Sequence, residues 1–220
     1  MDRPGTRQVI FANELLDAFP VHRLGWDAKA RTWFELGVAL QEGRFVWTRL
    51  FADASGLTEN SPIADLIPQL AAHLPDGFTV ELCPAADEWW RSAAGVLRAG
   101  RLMTLDYGLT AQELLAPERR EGTLRAYHRH RLSGDVLAQP GEQDITAHVN
   151  FSAIQQAGEA TGLHTEELFP QEQFLTRIAA RAWEPGTSFG EWTAQRTRRF
   201  QTLTHPEHLG RAFRVLIQGR

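Results

Sequence analysis

Gln8-Val9-Ile10-Phe11-Ala12 and Arg101-Leu102-Met103-Thr104-Leu105 are short, mostly apolar runs, and reading both as strands decides the fold. A run without polar alternation suits a strand covered on both faces, as in a parallel sheet. Parallel strands cannot be joined by a tight turn, so a long connection has to separate them. That connection ends in a helical segment at about Ala85 to Ala99, with Gly100 as its stop signal. Strand, long connection with helix, strand is the crossover unit of a doubly wound α/β sheet.

The connection is long because it carries further structure. Val21-His22-Arg23-Leu24, Thr32-Trp33-Phe34-Glu35-Leu36 and Phe45-Val46-Trp47-Thr48-Arg49-Leu50 read as three strands, with turn-like breaks at Asp27-Ala28-Lys29 and Gln41-Glu42-Gly43. Residues 21–52 are therefore expected to form an antiparallel meander beside the main sheet, with Trp33, Phe34, Phe45 and Trp47 as its small core. Ile63, Leu66, Ile67, Leu70, Ala71 and Leu74 recur at helical spacing, which predicts a helix over 62–74. Asp76-Gly77 then turns the chain into Phe78-Thr79-Val80-Glu81-Leu82. Beyond Gly108 the pattern predicts a polar loop region over 111–143, a short extended piece over 144–149, helices near 150–161 and from about 171, and a final strand over 212–217.

Composition sets outer limits. The 220 residues are 43% hydrophobic and 23% charged, with a net charge of −4, as in soluble globular proteins with room for a core. No apolar run approaches the ~20 residues that span a bilayer, and Met1-Asp2-Arg3-Pro4-Gly5 lacks the apolar core of a signal peptide. A cytoplasmic location without membrane contact is expected. The single Cys83, with no His near it in sequence, reads as a structural thiol. The charge gives no pull toward nucleic acid. Arg119, Arg120, Arg125, Arg129 and Arg131, with His128 and His130, form a locally basic stretch that reads as solvated surface, as does the Arg196, Arg198, Arg199 cluster. His128-Arg129-His130 lacks further ligands at metal-site spacing. In His205-Pro206-Glu207-His208 a proline breaks the helical geometry of zinc proteases. Neither is expected to bind metal. No G-x-S-x-G elbow, P-loop or G-x-G-x-x-G occurs in these residues.

Ligands of open α/β sheets bind beyond the carboxyl ends of the strands. The first run ends at Asn13-Glu14, with Asp17 one turn on, and the second at Asp106-Tyr107-Gly108. On neighbouring strands these ends would stand about 5 Å apart and surround one crevice with carboxylates, an amide and a phenol. Such a group can hold a cationic substrate, orient a guanidinium or accept a proton. Asp and Asn at strand ends also cap helices and shape turns, and composition leaves both readings open.

The order of short segments adds a resemblance. Ala12-Asn13-Glu14-Leu15-Leu16-Asp17-Ala18-Phe19-Pro20-Val21-His22 is followed by Val80-Glu81-Leu82-Cys83-Pro84, Leu105-Asp106-Tyr107-Gly108, Gly122-Thr123-Leu124-Arg125 and Pro140-Gly141. Asp144-Ile145-Thr146-Ala147-His148-Val149-Asn150-Phe151-Ser152 and Gln173-Phe174-Leu175 complete the series. Seven segments in this order, from Val9 to about Leu175 with a looser match to the end, resemble the MidA family of S-adenosylmethionine-dependent methyltransferases. Its mitochondrial members are protein arginine methyltransferases needed for assembly of respiratory complex I.

The resemblance implies a class I (Rossmann-like) methyltransferase sheet with strand order 3-2-1-4-5-7-6. The strand ending at Asn13 corresponds to strand four and the one ending at Asp106 to strand five. It implies S-adenosyl-L-methionine as cofactor, with Asn13 and Glu14 on the cofactor side and Glu14, Asp17, Asp106 and Tyr107 as catalytic residues. Asp144, Thr146 and His148 are the next candidates on the acceptor side. Asn150 stands where relatives often carry Asp. Strands one to three, the glycine-rich loop after strand one and the acidic residue after strand two have no counterpart in the 220 residues. The expected fold is therefore an incomplete α/β methyltransferase sheet, strands four to seven, with the meander at 21–52 and without the cofactor-binding half. The expected function is methylation of a protein arginine, the partner being a protein substrate such as a respiratory complex subunit. Cofactor binding is expected to be impaired until the absent segment is supplied. The alternatives are a non-catalytic protein-binding module and a truncated gene product. The strand at 9–12 would be a bare apolar edge, expected to self-associate or to pair with a companion half.

Overall fold

Residues 7–129, 131–182 and 192–220 are described in a computed structural model. In chain order they form β1 (Gln8–Asn13), a meander of β2 (His22–Asp27), β3 (Thr32–Gln41) and β4 (Arg44–Asp53), and two single-turn helices, α1 (Ser55–Thr58) and α2 (Ile67–Leu70). β5 (Thr79–Leu82), α3 (Pro84–Val96) and β6 (Gly100–Leu109) follow. Next are α4 (Ala111–Leu114), a 3-10 turn at Pro117–Arg119, β7 (Arg125–His128), β8 (Arg131–Ser133), β9 (Asp144–Thr146) and β10 (Val149–Asn150). The chain closes with α5 (Phe151–Glu159), β11 (His164–Pro170), α6 (Gln171–Ala182), α7 (Ala194–Thr204) and β12 (Phe213–Gly219). Met1–Gly5 and His130, discussed above, lie outside the described residues.

The main sheet has the order β1-β6-β12-β11, with β10 beside the end of β6. β1 and β6 are parallel neighbours in register from Gln8 opposite Gly100 to Asn13 opposite Leu105. β12 runs antiparallel to β6 and β11. This is the 4-5-7-6 order that the resemblance implies, and the adjacency of the two decisive strands holds. Gly100 shows how tightly they meet: at φ +137° its absent Cβ would stand 1.9 Å from the Gln8 carbonyl oxygen. A side chain there would collide with the neighbouring backbone.

Amphipathic α3 and α5 pack together on one face of this sheet, burying Trp90, Ala94, Ile154 and Ala157 against Leu102 and Leu216. The Trp90 indole N–H donates to Gln218 Oε1 at 2.7 Å, so the buried polar atom has a partner. Phe169, Leu105 and Val215 make a smaller core on the other face, joined by Phe174 of α6. The second sheet, β4-β3-β2-β5, is antiparallel. The meander thus continues through β5, which joins β2. The small third sheet has the order β8-β7-β9.

Several expectations are corrected. β1 is not covered on both faces: Val9 is 69% and Phe11 53% exposed, because no described element packs over their side. Of the four aromatics expected in the meander core only Trp33 is buried there, with Trp26 and Phe78 beside it. Side chains alternate across a strand, so Phe34 turns away from buried Trp33 and lies under the Arg49 guanidinium at 4.0 Å. Trp47 lies under Arg23 at 4.5 Å, and Phe45 is exposed. The helix over 62–74 shrinks to α2. A helix through this region would need an N–H from Pro68 and would push its ring into the Ala64 carbonyl, so residues 61–66 form turns instead. Helix α3 ends at Val96, and Gly100 opens β6 rather than stopping a helix. Residues 111–143 are not all loop, since α4, β7 and β8 lie there; β11 and α7 had no counterpart in the expected pattern.

Candidate functional site

Asp106 organises the two strand ends from behind. It is fully buried. Its Oδ2 accepts hydrogen bonds from the Leu15 and Leu16 amides at 3.1 and 2.9 Å, and its Oδ1 accepts from the Tyr107 amide at 2.9 Å. Where β1 stops, Glu14 adopts φ +47°, and the next two amides would be orphaned without a side-chain acceptor. Burial and then the charge of Asp17 push the Asp106 carboxyl up to about 7, against the pull of the three amides. Asp106 is thus a support for the site and does not line the cavity in front of it.

Glu14, Asp17 and Tyr107 form one wall of a cavity of about 320 Å³. Arg125 and Tyr127 from β7, Asp144 and Thr146 from β9, and His148 form the opposite wall. The small third sheet thereby roofs the carboxyl ends of β1 and β6, tied down by the Ala147 amide, which donates to the Asp17 carbonyl at 2.9 Å. Burial, followed by the Glu14 charge, raises both the Asp17 carboxyl and the Tyr107 phenol. Burial, with Arg125 and Arg119 adding repulsion, drives the His148 imidazole down to about 4. The cavity therefore offers three carboxyl groups, one neutral imidazole and one arginine. That balance suits a cationic guest with several N–H donors.

A buried relay fixes His148. Glu81 on β5 is 3% exposed, and its Oε2 accepts from the Thr123 amide at 2.7 Å and the Thr123 hydroxyl at 2.9 Å. The Thr123 hydroxyl oxygen in turn accepts from the His148 amide at 3.0 Å. Arg23 stands 3.4 Å from Glu81 Oε1 and also donates to the Glu121 carbonyl. Burial nevertheless keeps the Glu81 carboxyl above its ordinary range. Gly122, at φ +78°, has to lack a side chain: its Cβ would meet Glu81 Oε1 at 2.2 Å.

The structure thus brings together Glu14, Asp17, Tyr107, Asp144, Thr146 and His148 in one cavity. Asn13 stays outside it and donates to Glu14 Oε1 at 3.3 Å. Asn150 caps α5 by accepting from the Ala153 amide. Sequence reasoning missed Arg125, read as solvated surface, and Tyr127. It also missed Glu81 and Thr123 as a working pair; both lie in the matching segments, but nothing in their spacing shows that they touch.

Residues 1–169 match the profile of the S-adenosyl-L-methionine-dependent methyltransferase family. A protein arginine methyltransferase NDUFAF7 of Xenopus tropicalis, named as mitochondrial, is 29% identical over 72% of this chain and 34% of its own length. The Drosophila melanogaster homologue is 26% identical over 98% of this chain and 48% of its own. A Burkholderia thailandensis protein crystallised with S-adenosyl-homocysteine superposes with a TM-score of 0.80 at 31% identity, covering 98% of this chain and 54% of that one. The chain spans about half, or less, of the length of the relatives it matches.

Proposed function

The chain belongs to the S-adenosyl-L-methionine-dependent methyltransferase family, and on that footing we propose that it methylates a protein arginine seated in the cavity between β1, β6 and the third sheet. The observation that carries this reading is the convergence of Glu14, Asp17 and Tyr107 from two strand ends with Asp144 from the roof. Arginine is always protonated at ordinary pH and presents five donors in a planar fork. Carboxylates on two sides of it fix the plane and turn one nitrogen toward the donor side, where orientation supplies much of the rate. Methylation costs that nitrogen a proton, and Asp17, the buried carboxyl on the cavity wall, is suited to accept it because its carboxyl is raised.

S-adenosyl-L-methionine, when bound, supplies an electrophilic methyl group from a positively charged sulfonium. Asn13 and Glu14 would hold it, since an exposed carboxylate with an amide beside it at the open side of β1 suits a cation and an α-amino group. These two residues are few for a nucleotide cofactor. We therefore include in the proposal that strong cofactor binding and turnover require a further segment beside β1. The acceptor protein in this reading is of the kind the resemblance implies, a respiratory complex subunit.

The test is methylation of arginine peptides followed by mass spectrometry, with the chain alone and with the amino-terminal portion of a relative added. Methylarginine should form in the mixture and fall about 100-fold with Glu14→Gln. Modification of lysine instead, or full turnover by Glu14→Gln, would sink the arginine assignment. Calorimetric binding of S-adenosyl-L-methionine at micromolar affinity by the chain alone would overturn the need for a further segment.

A further inference from the structure

One charge in the cavity is left over from the seating of a guanidinium. Arg125 stands on the wall opposite Glu14, Asp17 and Tyr107, where it would repel a cationic guest. β7 and β9 pair with Arg125 opposite Thr146 and Tyr127 opposite Asp144, so Asp144 is on the same face, one pair along. The two side chains nevertheless form no ion pair, and Arg125 has no hydrogen-bond or ion-pair partner among the described residues. Arg119 brings a second unpaired guanidinium to this end of the cavity, since it and Arg125 both act on the His148 ring. Unpaired positive charge therefore faces the carboxylates of Glu14, Asp17 and Asp144 across one space. A guest that satisfies both walls has to carry both signs.

The roof also continues past the cavity. Side chains alternate along a strand, so Arg125 and Tyr127 share the cavity face while Ala126, fully buried, takes the other. Leu132 on β8 is paired with Tyr127 and shares its face. It is 65% exposed and lies beyond the cavity lining. An apolar shelf beside a cation, leading out of a cavity, gives a length of chain somewhere to lie. A free amino acid would leave that shelf unused.

We propose that Arg125 is a specificity residue, pairing with an acidic side chain that flanks the acceptor arginine while the acceptor's chain crosses Leu132. The inference rests on the reading of this cavity as the acceptor site. In that reading the cofactor lies at the open side of β1 with Asn13 and Glu14, across from Arg125, so the anion that Arg125 meets belongs to the acceptor. A guanidinium takes both oxygens of a carboxylate through its planar fork. The net charge of −4 gives the molecule no broad attraction for nucleic acid, which favours a peptide carboxylate over a phosphate backbone.

The experiment is an NMR titration of the whole chain at neutral pH, following the amides of Arg125, Tyr127, Leu132 and Thr146. The probes are acetyl-Ala-Glu-Arg-Glu-Ala-amide and the same peptide with Gln in place of both Glu. The Glu peptide should bind about tenfold more tightly, against the repulsion that a net charge of −4 imposes on an acidic peptide. In Arg125→Gln the two should bind alike. In Arg125→Glu the preference should pass to a peptide with Lys at both flanks, a reversal that lost packing would not produce. Equal binding of the Glu and Gln peptides by the unaltered chain, or a Glu preference that survives Arg125→Gln, would overturn the inference. Displacement of the Glu peptide by an equal concentration of a single-stranded hexanucleotide would overturn it too, by making the patch a phosphate site. A peptide with citrulline in place of arginine reports on the acceptor reading separately. Weakened citrulline binding with no Glu preference leaves that reading standing and sinks this one. Unweakened citrulline binding with the Glu preference intact removes the arginine and keeps the pairing at Arg125.

Discussion

Asp106 shows how one carboxyl can be at once structural and titratable. Three backbone amides depend on it, so Asp106→Asn, with one acceptor oxygen in place of two, should cost about 1–3 kcal/mol at low pH. Its carboxyl is raised from 3.8 to about 7 on folding. A raised acid contributes stability that is complete below its unfolded value and is lost as pH climbs through its folded value. The stability advantage of the unaltered chain over Asp106→Asn should therefore shrink, and can change sign, between about pH 4 and about pH 7, by at most roughly 1.4 kcal/mol per pH unit. Urea unfolding of both proteins across that range is the measurement, and a gap that widens with rising pH contradicts the assignment. His148 behaves in the opposite sense. Held down to about 4 by burial and by Arg125 and Arg119, it should keep an uncharged imidazole through neutral and mildly acidic pH. Its ring carbon shift, followed by NMR, should show no inflection near the usual 6.5.

At the scale of elements, the cavity depends on how the third sheet is held over β1 and β6. The Glu81–Thr123–His148 relay ties β5 of the second sheet to the segment between β9 and β10. Glu81→Gln would leave the half-buried Arg23 without its anion and weaken the acceptor of the relay, a change that should cost about 1–3 kcal/mol. Thermal unfolding should register that loss, and the His148 amide should lose protection from hydrogen exchange first. Unchanged stability would mean that Arg23 finds another partner and that the relay is not what holds the roof. The same variant separates support from chemistry, since Glu81 itself does not line the candidate site.

For the whole molecule, the open side of β1 is the dominant feature. Among the described residues β1 is an edge strand with exposed Val9 and Phe11, and such an edge favours pairing with another strand. Concentration-dependent association is expected in sedimentation experiments, and Phe11→Lys should reduce it sharply by placing a charge on the contact face. Equal association of both proteins would locate the contact elsewhere. Supplying the amino-terminal portion of a relative should compete with self-association if both use this edge.

The residues by themselves determined the family and the sheet. Mostly apolar runs at 8–12 and 101–105 are read by local physics, and the acidic strand ends follow in the same few positions, so Glu14, Asp17 and Tyr107 are legible in the sequence. The meander was legible too, since alternation and turn residues are local signals. What the sequence could not carry was every contact between elements far apart in the chain. Asp106 carried the same letter whether it lined the cavity or propped up the turn behind it; only the approach of the Leu15 and Leu16 amides, some ninety residues away, decided for the prop. Arg125 looked like solvated surface until β7 folded over the strand ends. The cavity beside the start of α3 is the extreme case: Asp87, Leu16 and Ile154 come from three distant segments, and their meeting is a property of packing, which no periodicity records.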